Sequence, residues 1–245
     1  MTESDAVITT TFRIPGNWAN PGELIERLPA GFRLTPAALV LPHGAEIEFV
    51  PMPPDDQFPG IFRSSCRQPP SSDELEIVDG YTVNVGLNGP GGSMAAARTM
   101  MQAGAAIVRA GGAGVFIDNS AVAHGGRHWI EMTEDGGPDA VSFAFAGIVR
   151  GRQEVRTIGM HVMGLPDVLM RSSDVDDEGD IVIEVIRYLC QGEKPVGDGH
   201  VLADEHGPRF QAVATDCDEF GPASPMHNPF GRLKLVSMKD IAEGN

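Results

Sequence analysis

Residues 81–129 read YTVNVGLNGPGGSMAAARTMMQAGAAIVRAGGAGVFIDNSAVAHGGRHW, and this stretch decides the fold. Alternating apolar residues predict a strand over residues 81–86, which a Gly-rich turn follows. Small and apolar side chains then predict a largely buried helix over residues 93–110, ended by a pair of glycines. A second strand at residues 114–118 leads into a segment rich in Asp, Asn, Ser and His. Proteins with this strand–helix–strand order place their chemistry at the junctions where strands end.

The sequence before this stretch predicts smaller elements. Residues 7–14 alternate as a strand, and Asn20-Pro21-Gly22-Glu23 is typical of a capped helix N-terminus. Two short strands, residues 38–41 and 46–50, flank a turn and predict a hairpin. Residues 51–72 are rich in Pro and Ser without periodicity, which predicts a loop or linker.

The sequence after residue 129 predicts two more helices and several strands. Residues 139–150 are largely apolar and predict a helix, and RTIGMHVM at residues 156–163 predicts a strand. Residues 180–191 have a buried and a polar face at helical spacing. The closing strands are predicted at residues 201–202, 209–214 and 233–237.

The predicted elements indicate an α+β fold, a layered sandwich of mixed β-sheet with packed helices. TVNVGL at residues 82–87 and MHVMGL at residues 160–165 both end in Gly-Leu, a weak internal echo. Two similar β-α-β halves would account for it. We therefore predict one domain over residues 1–245, with two sub-halves, 1–152 and 153–245, as the finer interpretation.

Composition excludes several classes of partner. The chain has 245 residues, 42% of them hydrophobic, and 18 Lys and Arg against 34 Asp and Glu give a net charge of −16. So negative a protein repels nucleic acid and anionic lipid, so neither nucleic acid nor a membrane is an expected partner. The charge serves solubility or, alternatively, attracts a cationic partner. The acidic, polar N-terminus is unlike a signal peptide, which predicts a cytoplasmic protein.

No cofactor is expected from the sequence. Its three cysteines, Cys66, Cys190 and Cys217, form no CxxC pair, which argues against a disulfide framework or a zinc knuckle. The chain contains neither a phosphate-binding lysine loop nor a GxGxxG turn. It also lacks GxSxG and HExxH, so no catalytic signature is complete.

The turn at residues 88–93 is a candidate anion site. It lies between a strand and a helix, where free backbone N–H groups can bind an anion. The candidate ligand-binding residues are Asn88, Gly91, Gly92 and Ser93. The alternative is a tight turn in which Ser93 only caps the helix.

The segment after the second strand holds the other candidates. Asp118, His124 and His128 are the candidate catalytic residues, and Asn119 and Ser120 are candidate ligand-binding residues. The two histidines have the spacing of a helical metal pair, but the two glycines between them argue against a helix, and we predict no metal site. The alternative is a capped turn with surface histidines, anchored by Trp129.

Residues 174–179 resemble the opening of a calcium loop. Asp174, Asp176, Glu178 and Gly179 fit its pattern, but Val185 stands where a bidentate Glu is needed. The alternative is an acidic helix N-terminus, which the helix dipole favours.

Two segments, RTIGMHVMGLPDVLM and EVIRYLCQGEKPVGDGHVL, resemble the C-terminal part of bacterial proteins of the domain-of-unknown-function family 4261. Members show a strand ending in G-[LM]-P-[ED], then a helix and a short dGxt-like segment. The matching residues are Gly164, Leu165, Pro166 and Asp167, then residues 197–200, where His200 replaces the expected Thr. The resemblance implies a soluble bacterial α+β protein and supplies no catalytic residues.

Taken together, these features predict a non-enzymatic binding or interaction protein with a protein or small-molecule partner. The alternative is a hydrolase-like enzyme that uses Asp118, Asn119, His124 and His128, with the turn at residues 88–93 as its anion site. That alternative requires these groups to converge on one concave pocket. A structural oligomer would instead need a large exposed apolar patch.

Overall fold

The fold is α+β, as the sequence predicts. A computed structural model describes residues 7–175, 180–192, 195–203, 209–217 and 219–238. Within those residues the chain forms seven α-helices and thirteen β-strands. The helices are α1 (Pro21–Arg27), α2 (Phe58–Ser65), α3 (Ser72–Gly80), α4 (Met94–Arg109), α5 (Gly126–Asp135), α6 (Pro138–Phe145) and α7 (Asp180–Gln191).

Seven strands form the first sheet, whose neighbouring strands are all antiparallel. They are β1 (Thr9–Gly16), β2 (Arg33–Leu34), β3 (Ala38–Val40), β4 (Glu46–Met52), β5 (Val83–Pro90), β6 (Gly114–Ile117) and β7 (Val122–Gly125). Their order in the sheet is β2-β3-β4-β5-β1-β6-β7. The predicted hairpin of β3 and β4 is confirmed.

The stretch at residues 81–129 folds as predicted up to the end of its second strand. β5 is followed by α4 and then by β6, and Ser93 caps α4 by accepting a hydrogen bond from the Ala96 N–H at 3.1 Å. β1 lies between β5 and β6 and is antiparallel to both, so β5 and β6 run in the same direction. This is a split β-α-β crossover, and the C-terminal ends of β5 and β6 lie at one edge of the sheet on either side of β1.

Helix α4 is buried over most of its girth because small residues let its neighbours approach closely. Gly104 faces the indole of Trp129 on α5, and a Cβ at this position would lie 2.9 Å from Trp129 Nε1. The same indole N–H donates to the Met101 carbonyl at 3.2 Å. The Ala- and Gly-rich composition of α4 therefore fixes the spacing between α4 and α5.

We expect Gly104→Ala to lower the free energy of unfolding by about 1–3 kcal/mol, the usual cost of overfilling a packed core. The new methyl group would force Trp129 to move, and this outweighs the gain of about 1 kcal/mol in helix propensity. Urea denaturation measures the effect. Gly60→Ala in α2 is the matched control, because a Cβ there meets nothing within 4 Å and should stabilise the protein. Equal stabilisation by both substitutions would contradict the close contact between α4 and α5.

Six strands form the second sheet, which is mixed. They are β8 (Gly147–Arg150), β9 (Glu154–Ile158), β10 (Asp167–Arg171), β11 (Val201–Ala203), β12 (Arg209–Thr215) and β13 (Arg232–Ser237). Their order is β11-β12-β13-β10-β9-β8, with β10 and β13 parallel and the other pairs antiparallel. The connection from β10 to β13 contains α7 and the β11–β12 hairpin. The closing strands predicted from the sequence are confirmed.

The prediction of a loop over residues 51–72 is wrong. Helix α2 lies in it, and Phe58 and Phe62 on one face of that helix are buried against Tyr81 and Phe116. Pro59 occupies the first turn of the helix, where its missing N–H costs nothing. A helix of eight residues is too short to show periodicity among so many prolines.

Two other predicted elements end earlier than expected. The predicted helix at residues 139–150 ends at Phe145, and the β-branched Ile148 and Val149 belong to β8. The predicted strand at residues 156–163 ends at Ile158, because Gly159 adopts a φ of 92° and turns the chain into a 3₁₀ turn, Met160–Met163. Asp167 after Gly-Leu-Pro then begins β10 and not a helix.

The echo between TVNVGL and MHVMGL does not extend to the structure. The first stretch lies in β5, whereas the second forms the 3₁₀ turn Met160–Met163. The hairpin of β8 and β9 spans residue 152, so the proposed boundary at that residue falls inside a pair of strands. One continuous hydrophobic core contains side chains of both sheets, among them Phe12 of β1 and Leu235 of β13, together with Trp129 of α5. Among the described residues, no helix has the length and apolar character needed to cross a membrane.

Candidate functional site

The candidate residues after β6 lie on three different elements. Residues 118–121 form the tight turn between β6 and β7, and Ala121 in this turn has a left-handed φ of 54°. His124 lies in β7 and His128 in α5. Ser120 is buried, and its Oγ has no hydrogen-bond partner among the described residues. The segment after β6 is therefore not one continuous loop.

Asp118 is held in an ion pair. The Arg13 Nε lies 2.9 Å from Asp118 Oδ1 and donates a hydrogen bond to Oδ2 at 3.0 Å. Burial raises the pKa of the Asp118 carboxyl, and the charge and hydrogen bond of Arg13 oppose part of that rise. The Asp118 side chain is 13% exposed. Its carboxylate thus joins β1 to the turn after β6.

Asn119 is fully buried and joins three parts of the chain. Its Oδ1 accepts a hydrogen bond from the Thr11 N–H at 2.8 Å, and its Nδ2 donates one to the Thr9 carbonyl at 3.0 Å. The side chain thus bonds to the backbone of β1 beyond the point where β6 ends. The same Nδ2 lies 3.0 Å from the Pro225 carbonyl and 3.2 Å from His161 Nε2. The Oδ1 and the Nδ2 of this amide therefore both bond to the protein itself.

The crevice between the two predicted junctions is filled by the 3₁₀ turn Met160–Met163. On one side, the Gly92 N–H donates to the Val162 carbonyl at 2.9 Å. On the other side, His161 contacts Asn119. All four residues of the turn are buried. The fold therefore brings the two junctions close together, and it closes the space between them with its own chain.

Hydrogen-bonding groups of the turn at residues 88–93 already bond to other parts of the protein. The Gly91 N–H donates to the Ile8 carbonyl at 2.9 Å, as Gly92 does to Val162. Asn88 Nδ2 donates to Glu48 Oε2 at 2.9 Å, and Ser93 Oγ caps α4. The geometry matches the alternative interpretation, a tight turn that caps a helix.

His124 is a core residue. It is 1% exposed, and its Nε2 lies 3.0 Å from the Ala144 carbonyl, which requires the Nε2 proton. Burial lowers the pKa of His124 to about 3. The imidazole is consequently neutral near pH 7, with its one proton held by the end of α6. The alternative interpretation, in which the histidines lie on the surface, is wrong for His124.

His128 packs beside His124 without forming a metal centre. The two rings meet edge to face with centroids 5.8 Å apart, and His128 also contacts the Phe143 ring at 5.5 Å. In the part of the chain that the structure describes, no group of three or more His, Cys, Asp or Glu side chains could hold a metal ion. The pair is an aromatic contact between β7, α5 and α6.

Arg67 belongs to this cluster, although no motif in the sequence indicated a role for it. Its guanidinium lies 4.8 Å from the centroid of the Phe143 ring and donates to the carbonyls of Phe143, at 3.0 Å, and Ala146. Burial lowers the pKa of Arg67 to about 10. A cation at these last carbonyls stabilises the C-terminal end of α6. Arg67 lies in residues 51–72, the stretch that was predicted to be a loop.

A second buried polar group lies at the start of β10. Asp167 accepts hydrogen bonds from Thr157 Oγ1 at 3.1 Å, the Met160 N–H at 3.3 Å and Asn228 Nδ2 at 2.9 Å. Burial raises its pKa to about 6, against the opposing effect of these bonds. Asp167 is 2% exposed and ties β9 and β10 to the segment before β13.

The calcium-like segment is described only in part. Asp174 lies in the short 3₁₀ turn Ser172–Asp174. Asp176, Glu178 and Gly179 lie outside the described residues.

A cleft lies elsewhere, between α7 and the β11–β12 hairpin, with a volume of about 530 Å³. Its apolar lining is Ile181, Val185, Val201, Leu202, Ala203 and Phe210. Its polar lining is Asp180, Glu184 and Tyr188. None of the predicted site residues lines this cleft. Sequence reasoning missed it because the two walls are joined only by the tertiary fold.

Comparison with protein-family models, with curated proteins and with solved structures finds no match to this chain.

Proposed function

We propose that the protein is a non-enzymatic binding protein and that the cleft between α7 and the β11–β12 hairpin holds a small-molecule ligand. The composition of the cleft carries the proposal. Small-molecule sites are concave, mostly apolar and typically about 300–1,000 Å³ in volume, with a few polar groups that orient the ligand. The cleft has this size and this lining.

Partly exposed apolar side chains support the same assignment. Tyr188 on α7 is 39% exposed and Val201 on β11 is 52% exposed, so both walls present apolar surface to solvent. Phe210 lies beneath them and is 3% exposed. Covering this surface with an apolar ligand would be favourable, because it removes apolar area from water.

The hydrolase-like alternative has less support. Asp118 is paired with Arg13, and Asn119 bonds to backbone groups of β1. His124 is neutral and bonded to a helix end. A general base must reach the proton that it abstracts, and these groups face the protein interior. The buried 3₁₀ turn after β9 fills the space between them and the turn at residues 88–93.

Binding of Nile red, a neutral apolar dye, tests the proposal. We expect its fluorescence to rise on binding to the wild-type protein. Leu202→Trp should weaken dye binding at least about tenfold, or 1.4 kcal/mol, because Leu202 pairs with Phe210 on the buried face of the hairpin and the larger ring would fill the cleft. Ala37→Trp is the control, since Ala37 is exposed in the turn before β3, far along the chain from the cleft.

Two results would overturn the proposal. One is absence of dye binding by a folded wild-type protein. The other is equal binding by the wild type and by Leu202→Trp, which would place the dye outside the cleft. Circular dichroism of each variant verifies that it is folded.

A further inference from the structure

The second sheet has one face on the hydrophobic core and one face turned outward. Leu233 and Leu235 of β13 lie in the core together with Val185 of α7. Side chains alternate between the two faces along a strand, so Lys234, between the two leucines, lies on the outward face.

One row of neighbouring side chains crosses this outward face. Leu169 of β10 pairs with Arg156 of β9 on one side and with Lys234 of β13 on the other. Val149 of β8 pairs with Arg156, and Val213 of β12 pairs with Lys234, so valines end the row. Cross-strand partners share a face and strands lie about 4.8 Å apart. The row therefore alternates apolar and cationic side chains, with two cations about 10 Å apart on either side of a leucine.

The apolar side chains of this face lie outside the protein's own hydrophobic cores. Neither core formed by the described residues contains Val149, Leu169, Val213 or Val236. The three valines are only partly buried. A sheet with one solvated face usually presents polar side chains there. Apolar groups among polar ones are instead typical of a protein–protein interface.

Cations outnumber carboxylates at the outward positions of these strands. The cations are Arg156, Arg171, Arg209, Arg232 and Lys234, and the carboxylates are Glu154 and Asp167. The chain as a whole carries a net charge of −16. The outward face is thus opposite in charge to the protein that carries it.

Ion pairs within the chain leave part of this positive charge uncompensated. Glu219 bonds to both Arg156 and Arg232, so one carboxylate serves two guanidinium groups. The ammonium group of Lys234 forms no ion pair or hydrogen bond among the described residues. Carboxylates brought by a partner would complete these pairs.

We propose that this outward face binds an acidic segment of a partner protein in which apolar side chains lie among carboxylates. The carboxylates would pair with Arg156 and Lys234, and the apolar side chains would cover Leu169 and the valines beside it. The proposal goes beyond the ligand cleft, because none of the residues in this row lines that cleft.

Other occupants fit this face less well. A second copy in a two-fold dimer would place the face against itself, so Arg156 and Lys234 would meet like charges. A small molecule usually requires a concave site, and this is the surface of a sheet. Nucleic acid would pair with the cations but would leave the apolar side chains uncovered, and the net charge of −16 would repel it.

Fluorescence anisotropy of the full chain with a short fluorescein-labelled peptide of repeated Glu-Glu-Leu-Leu units tests the proposal. The salt concentration is about 50 mM, where ionic attraction is weakly screened. We expect binding, and a loss of at least about tenfold in affinity when Lys replaces Glu in the peptide. Replacing Leu by Ser should weaken binding at least about fivefold, because less apolar area is removed from water.

Lys234→Glu should weaken peptide binding at least about fivefold, because it replaces a cation of the row by an anion. Arg33→Glu is the matched control, since it makes the same change of charge at an exposed residue on β2 of the first sheet. It should change the affinity by less than about twofold, the general effect of net charge. Circular dichroism verifies that both variants are folded.

Several results would overturn the proposal. They are absence of peptide binding, equal binding of the Leu and Ser peptides, and equal losses in Lys234→Glu and Arg33→Glu. Tighter binding of a single-stranded oligonucleotide of equal charge would assign the face to nucleic acid. A wild-type dimer that Lys234→Glu dissociates, measured by analytical ultracentrifugation, would assign it to a second copy. None of these results bears on the cleft, which Nile red tests separately.

Discussion

Asn119→Ala is expected to lower the free energy of unfolding by about 3–5 kcal/mol, because it leaves several buried backbone groups without partners. The substitution removes the acceptor of the Thr11 N–H and the donor to the Thr9 and Pro225 carbonyls. It also removes the contact with His161, which links the first sheet to the 3₁₀ turn Met160–Met163. Urea denaturation followed by circular dichroism measures the loss.

Asn88→Ala is the matched control for this prediction. Asn88 lies across β1 from Asn119, and its amide bonds only to the partly exposed Glu48. We expect this substitution to cost less than about 1 kcal/mol, as exposed hydrogen bonds usually do. Similar losses in Asn88→Ala and Asn119→Ala would show that Asn119 has no special role in joining the two sheets.

Acid is expected to destabilise the protein, chiefly through two buried histidines. Burial lowers the pKa of His124 to about 3 and that of His161 to about 4, whereas an unfolded histidine titrates near 6.5. The unfolded state therefore binds more protons than the folded state below about pH 6.5, so stability falls with falling pH. Between about pH 7.5 and 5 each histidine contributes a loss of about 2 kcal/mol.

Asp167 acts in the opposite direction. Its folded pKa of about 6 lies above the usual value near 3.9, so the stability it contributes is present at low pH and is lost as the pH rises through 6. It returns about 1 kcal/mol on acidification to about pH 5. The net expected loss between about pH 7.5 and 5 is about 2–3 kcal/mol.

The free energy of unfolding at the two pH values measures this effect. His124→Gln should reduce the pH-dependent loss by about 2 kcal/mol, because glutamine does not titrate. His43→Gln, which changes an exposed histidine in the turn between β3 and β4, is the control and should leave the loss unchanged. Equal slopes in both variants would contradict the assignment of the acid effect to a buried His124.

Local signals in the sequence correctly predicted the elements around the crossover. Helix α4 follows from its Ala-rich run between the cap at Ser93 and the terminal glycines, and α1 follows from Asn20 and Pro21. These patterns depend on neighbours within a few residues. The direction of β5 and β6 also follows from the helix between them, but the insertion of β1 between the two strands is a long-range pairing that no local pattern indicates.

Features that depend on distant contacts escaped prediction. Helix α2 is held by Phe58 and Phe62 against the first sheet, and residue-by-residue composition indicated only a loop. The hydrolase-like alternative requires an open pocket between the two junctions, and the turn Met160–Met163 fills that space. The capped-turn alternative places the histidines on the surface, but His124 is buried, and Gly125 and Gly126 let the start of α5 approach Glu74 of α3 and Val108 of α4.

The cleft shows the same limit. Residues 180–191 were correctly predicted to form an amphipathic helix, and the strands at residues 201–202 and 209–214 were also predicted. Each was interpreted alone, so the space between them could not be inferred. Membership of family 4261 stays a prediction from the two C-terminal segments. The second segment, residues 184–202, contributes Glu184, Val185, Tyr188, Val201 and Leu202 to the lining of the cleft.

Chemical-shift mapping of Nile red on the ¹⁵N-labelled full chain tests the proposed binding site without any assumption about the ligand's charge, because it reports where the dye binds. We expect the largest shifts at α7 and the β11–β12 hairpin, among them Glu184, Tyr188 and Leu202, and no comparable shifts at residues 118–128. The shifts at α7 should disappear in Leu202→Trp. Shifts concentrated at Asp118 and the hairpin of β6 and β7 would contradict the account and restore that turn as the functional site.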